Sequence, residues 1–341
     1  MMKRIIVCLA LVALLFPAVV RAATRTVTVK DSGGDYTTLN AAFAGEYASW
    51  PNLTVNNGSG SAGILVFDHQ RAAADDTTAA ATGAGWGVNA SYYLSVTGSA
   101  SMKHAGVLDT SKCGIAVTSG IPFNAGVQYT RVTDMQFTIT AGTGASCINF
   151  PQNCKAERCL TKTSYRTGIT ANGSTLKNCI HFGGPRYGIF STSDSTAIYN
   201  CTVYGCSGAS YPGIFLNAAN NTVVSNCVST NNAGDDFSLT NVAVVSNNAS
   251  EDATADDFGG AGHLVNQTIA NLFVDAAGGN FAVKVGSSLI DAGTATGAPT
   301  DDVLAATRTA TPDIGAFEYL TAGGGGLLWL PAVLRNQEAG Q

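Results

Sequence analysis

The sequence predicts an all-β parallel β-helix, a solenoid whose coils run about 20–26 residues each. A corner motif recurs at Asp134-Met135, Arg158-Cys159, Asn178-Cys179, Asn200-Cys201, Asn226-Cys227 and Asn247-Asn248, its second members 24, 20, 22, 26 and 21 residues apart. Two positions before each pair stands an apolar residue: Val132, Ala156, Leu176, Ile198, Val224 or Val245. A second landmark precedes it, Gly followed by Ile at Gly168-Ile169, Gly188-Ile189 and Gly213-Ile214, with Cys147-Ile148 and Asp236-Phe237 in the equivalent places. The composition agrees. Gly supplies 39 of 341 residues and charged residues only 12%, a mixture rich in turn formers and poor for helix interiors. A hydrophobic share of 45% excludes a disordered chain.

A period near 22 with two or three short apolar stretches per repeat is too short for helical repeats and lacks their 3.6-residue spacing. No single repeat can bury its own apolar side, so each must stack on its neighbours. The corner residue explains the recurring Asn. Asn178, Asn200, Asn226 and Asn247 tolerate the left-handed backbone that a sharp corner needs, and their amides can bond to one another in a ladder. The next residue points inward, which makes Cys159, Cys179, Cys201 and Cys227 a column of small buried thiols. In-register neighbours on parallel strands are poorly placed for bridging, so this column is expected to stay reduced. Cys206, Cys154, Cys147 and Cys113 remain open as disulfide partners, with no deducible connectivity.

Residues 1–22 have a basic start at Lys3 and Arg4, an apolar run from Ile5 to Val20 and small residues up to Ala22, the layout of a secretory signal peptide cleaved after Ala22. The expected product is secreted or held at the cell surface, without a stable membrane span. Residues 23–319 form the β-helix domain, with a capping region and irregular coils to residue 110, regular coils over 111–250 and irregular last coils to 319. Within the first part, "AAADDTTAAATGAG" reads as an exposed loop. Residues 320–341 are a Gly-rich joint and a short apolar tail, "LLWLPAVL", too short to span a bilayer.

The opening of the domain, "TVTVKDSGGDYTTLNAAFAG", together with "YYLSVTGSASMKHAG" and the closing "NLFVDAAGGNFAVKVGSSLIDAGT" and "TPDIGAFEY", resembles exported members of the pectin-lyase-like superfamily. The resemblance implies a right-handed parallel β-helix with a short N-terminal helical cap, and a C-terminal Asp-Ile-Gly-Ala-Phe-Glu-Tyr motif that closes the stack. It covers most of residues 24–319. It does not fix function, because that superfamily includes lyases, esterases, hydrolases, phage tailspikes and non-catalytic adhesins. Phage-derived members are often trimers, so the resemblance admits a homo-oligomer.

Stacked coils offer long faces suited to a polysaccharide or a cell-surface glycan. Between Lys155 and Arg186 six basic residues stand against one acid, and Arg166, Lys177 and Arg186 fall on consecutive coils, which makes them the candidates for binding acidic sugar or abstracting a proton beside a carboxylate. Asp235-Asp236 and Asp256-Asp257 are paired acids one coil apart. They suit hydrolase chemistry or Ca²⁺, although the Gly-His-Gly and Arg-Ile-Lys of polygalacturonases are missing. A net charge of −5 gives no electrostatic argument for nucleic acid as a partner. The favoured expectation is a non-catalytic glycan-binding, adhesin-like or particle-exterior protein; the alternative is a polysaccharide lyase or glycoside hydrolase acting on acidic polysaccharide.

Overall fold

The structure, a computed structural model, describes residues 23–55, 62–142, 145–217 and 220–320. The expected signal peptide and the Gly-rich tail from Thr321 onward lie outside the described residues. What is described is a parallel β-solenoid of about six turns with two short helices. Three parallel sheets form its sides. The first has nine strands, from Ala23–Val29 to Val244–Ser246; the second has seven, from Gly114–Val117 to Ala249–Ser250; the third has seven, from Ala80–Ala81 to Phe237–Thr240. Each regular coil visits them in that order.

The sequence columns become columns in space. Val132, Ala156, Leu176, Ile198, Val224 and Val245 pair in register along the first sheet, and all are buried. Ile148, Ile169, Ile189, Ile214 and Phe237 do the same along the third. Between these sheets Cys159, Cys179, Cys201 and Cys227 fill the interior as expected, and all eight cysteines from Cys113 to Cys227 are buried and free of disulfides. The glycines ahead of the Ile column have a steric reason. A Cβ at Gly188 would collide with Val203, and one at Gly213 with Ser229, both inward residues of the second sheet. The interior narrows there, and only Gly lets the two walls approach.

Each of the six short corners between first and second sheet holds its leading residue in the left-handed region: Asp134, Arg158, Asn178, Asn200, Asn226 and Asn247 have φ from 49° to 58°. The continuous amide ladder expected there is not what the side chains form. One direct rung exists, Asn226 Nδ2 to Asn200 Oδ1 at 3.2 Å. The amides otherwise turn outward, Asn178 to the Asp301 carbonyl, Asn200 to that of Asp313, Asn226 to that of Thr294 and Asn247 to that of Ala292, at 2.8–2.9 Å. The reason is what lies beside them.

The coil path continues only to isolated bridges at Ala261 and Leu264. The chain then runs back along the flank of the second sheet, so the Asp-Ile-Gly-Ala-Phe-Glu-Tyr motif straps the side of the solenoid and does not close its end. Leu160, Ile180, Val228 and Ala249 face outward from that sheet and are apolar. They are buried beneath Leu272, Phe281, Val303, Ile314 and Phe317 of this strap. The strap reaches the early coils, where Lys103 Nζ donates to the Leu304 carbonyl at 3.2 Å.

The N-terminal cap is as expected. Helix α1 (Leu39–Ser49) starts at Thr38, whose hydroxyl accepts from the Ala41 amide, and lays Leu39, Ala42 and Phe43 over the first coil. Phe43 meets Phe67 edge-on at 4.7 Å. The stretch expected to be an exposed loop, residues 72–85, is instead anchored: Ala73, Asp76 and Ala80 are buried, and Asp76 Oδ2 lies 2.9 Å from His69 Nε2. Its Ala-, Thr- and Gly-rich composition gave no sign of the buried carboxylate and its partner.

Candidate functional site

On a parallel solenoid, outward residues at one register position line up about 4.8 Å apart, so one face repeats a chemical group along its length. Along the third sheet the outward column reads Asn124, Asn149, Thr170, Phe190, Phe215 and Ser238. Asn149 donates to Asn124 at 2.8 Å. Phe190 and Phe215 stack face to face, centroids 5.5 Å apart and planes within 6°.

The connections from the second sheet to the third form the rim of this face. They are the variable part of each coil, and those at 183–188 and 205–213 carry further aromatics. Tyr187 lies 4.9 Å from Phe190 and 5.0 Å from Phe215, and Tyr211 meets Tyr187 edge-on at 5.1 Å. The Arg186 guanidinium sits 4.6 Å from the Tyr211 centroid. These four rings are half-buried, each with an edge or face toward solvent. Beside them a cavity of about 290 Å³ is lined by Tyr187, Ser210, Pro212, Phe215, Asp235 and Ser238.

The residues selected from sequence are dispersed by the fold. Arg166 and Arg186 occupy the same kind of corner, between the second and third sheets, with Arg166 resting 5.5 Å from Tyr165. Lys177 lies elsewhere, on the outside of the first sheet, paired in register with Glu157 and 5.9 Å from the Tyr199 ring. Consecutive in coil number, the three cations do not form one strip. Lys177 lines a second cavity, about 250 Å³, shared with Glu157, Arg158 and Asp301. There Arg158 is already committed to Asp134, at 2.8 Å, and to Asp301.

The Asp pairs also separate. Asp235 opens onto the aromatic cavity, whereas Asp236 turns inward. Asp236 accepts from Asn232 Nδ2 at 2.6 Å and from the Glu251 amide at 2.7 Å, which fixes the start of the following turn. Burial pushes its carboxyl up to about 7 despite those bonds. Asp256 and Asp257 are exposed on the turn after the last coil. The separation is made in the turn ahead of the strand Phe237–Thr240, where Asp235 stays at the surface and Asp236 is drawn in by its bonds to Asn232, Glu251 and Asp252. Among the described residues no group of three or more His, Cys, Asp or Glu side chains is placed to hold a metal ion.

The aromatic face is what sequence reasoning missed. Its signal was legible: "YGIF" at 187–190 and "PGIF" at 212–215 repeat the Gly-Ile landmark with Phe directly after it. In comparisons with known proteins the chain matches no family model and no curated sequence.

Proposed function

We propose that this chain is an exported β-helix protein of the cell surface or of a particle's exterior that binds glycan on the outside of its third sheet without transforming it. The stacked Phe190–Phe215 column, rimmed by Tyr187 and Tyr211, carries this reading. Pyranose rings present flat C–H faces that pack on aromatic rings, and half-exposed rings on a rigid scaffold bind at low entropic cost. The repeat of the coil suits a ligand that is itself a repeating chain. A hydrolase needs two carboxylates across its groove. The described lining supplies one, Asp235, since Asp236 is occupied with the backbone beneath.

The test is retention of the chain from Ala23 onward on immobilised neutral and acidic glycans, beside Phe215→Ala. The expected result is retention on at least one glycan, weakened about tenfold by the substitution, with no unsaturated uronate or new reducing ends released. Retention unaffected by Phe215→Ala would reject this face. A lyase at Lys177 is the second reading, favoured only by that residue's position on the other cavity. Unsaturated product abolished by Lys177→Ala would establish it, although Glu157 and Asp301 would there oppose an acidic sugar.

A further inference from the structure

Resting on the glycan-binding reading, we infer that the cavity beside Phe215 accepts a single uncharged hexopyranose ring and discriminates against the corresponding uronic acid. The aromatic column stops at a definite place. Phe190 is covered by Phe215, but the residue paired in register with Phe215 on the next strand is Ser238. With strands about 4.8 Å apart, replacing a third ring by a serine leaves a slot one ring thick against the free face of Phe215. The cavity of about 290 Å³ occupies that slot. It lies at the small end of ligand pockets, suited to one ring and too small for an extended chain.

The polar groups around the slot define the ring's chemistry. The Asp235 carboxylate and the Ser210 and Ser238 hydroxyls make no hydrogen bond to other described side chains or backbone. Three polar groups therefore border an aromatic face, Asp235 and Ser210 exposed and Ser238 half-buried, where sugar hydroxyls can take the place of solvent. A carboxylate accepts from vicinal sugar hydroxyls, the two serines donate or accept, and Phe215 takes the apolar ring face. A carboxylate on the ligand would meet Asp235 as a like charge. Arg186 stands over the Tyr211 ring and is not among the residues that line the cavity, so Asp235 is the charged group a ligand carboxylate would meet there. At this pocket the inference runs against the sequence-based expectation of acidic sugar bound by Arg186.

The experiment measures how well free monosaccharides release the chain from whichever immobilised glycan retains it. Matched methyl glycosides and methyl uronides of the gluco, galacto and manno series differ only at C6. In at least one series the neutral glycoside should compete up to about fivefold better than its uronide at low salt, the upper range for an exposed charge pair. High salt and Asp235→Asn should each close that gap, by screening the carboxylate or removing it. Ser238→Phe, which continues the aromatic stack and fills the slot, should abolish competition by every monosaccharide. Uronides competing as well as neutral sugars, no competition from any pair, or Ser238→Phe without effect would each overturn the inference while retention itself preserved the broader function. Absence of retention on any glycan would instead remove the function, and the inference with it.

Discussion

His181 shows how a single residue shapes the pH response. It points into the solenoid from the second sheet, in the column that Thr161 and Val203 continue. Its Nδ1 lies 2.9 Å from Thr161 Oγ1, and its Nε2 has no partner. Burial pushes its pKa from 6.5 down to about 4, and the same cause does so for His104. A base with a lowered folded pKa is protonated first in the unfolded chain, so its contribution to stability is lost as pH falls from about 6.5 to 4. At pH 5 the loss for one such histidine is about 2 kcal/mol. His181→Val copies the residue that follows in the column and leaves Thr161 its bond to the Ile180 carbonyl. The drop in denaturant-derived stability between pH 7 and pH 5 should therefore shrink by about 2 kcal/mol in the variant. Asp236 and Asp313, raised by burial to about 7 and about 6, act in the opposite sense, but they are common to both proteins and cancel in the difference. Equal drops in the two proteins would refute the burial argument. Nothing in the sequence marks His181 as interior, because the one neighbour that meets its ring, Thr161, is brought to it only by the stacking of the coils.

At the scale of the element, the stacked coil was legible and the chemistry of its faces was not. The Asn-Cys corners and Gly-Ile landmarks fixed both the period and the inward columns, because an apolar residue at a repeated position must face the core. The flank strap was misplaced for a physical reason: Leu160, Ile180 and Val228 look like ordinary strand residues in sequence, and only the fold reveals that they face out and need covering. The cations were grouped by position along the chain, which ignores that each coil turns through three faces. The cysteines illustrate the reliable part: all eight among the described residues are buried, and for the four outside the column burial also raises the thiol. Burial raises Cys113 and Cys206 to about 12 and Cys154 to about 11, and raises Cys147 further. At these four the thiolate, the reactive form, is thereby suppressed, and the column is shielded by its burial from any reagent in solution. In the chain from Ala23 onward, a thiol reagent at pH 8 should find no reactive cysteine in the native state and eight after denaturation. Rapid native labelling would mean the interior opens, and fewer than eight thiols after denaturation would mean that a disulfide forms.

At the scale of the whole molecule, the strap and the aromatic face of the third sheet lie on different sides of the solenoid, so they are separable. Arg308 is the fastening. Its guanidinium, almost fully buried, reaches Glu318 at 2.9 Å, Asn178 Oδ1 at 2.8 Å and the carbonyls of Gly315 and Ala316 at 3.0 and 3.1 Å. Glu318 in turn accepts from the Asp313 and Thr309 amides, and Asp313 from those of Asp291 and Tyr319. The acidic ends of the Asp-Ile-Gly-Ala-Phe-Glu-Tyr motif thus hold its turn, while Ile314 and Phe317 enter the flank core. Removing one partner of a buried ion pair costs about 3–5 kcal/mol, because the other charge stays buried and unpaired. Arg308→Met should therefore release the strap while the coils, closed by their own ladders, persist. Hydrogen exchange should speed up at least about a hundredfold over 291–319 and at the outward side of the second sheet. The third sheet should keep its protection, and glycan retention should be unchanged. Loss of protection in all three sheets together would show that the strap and the solenoid fold as one unit.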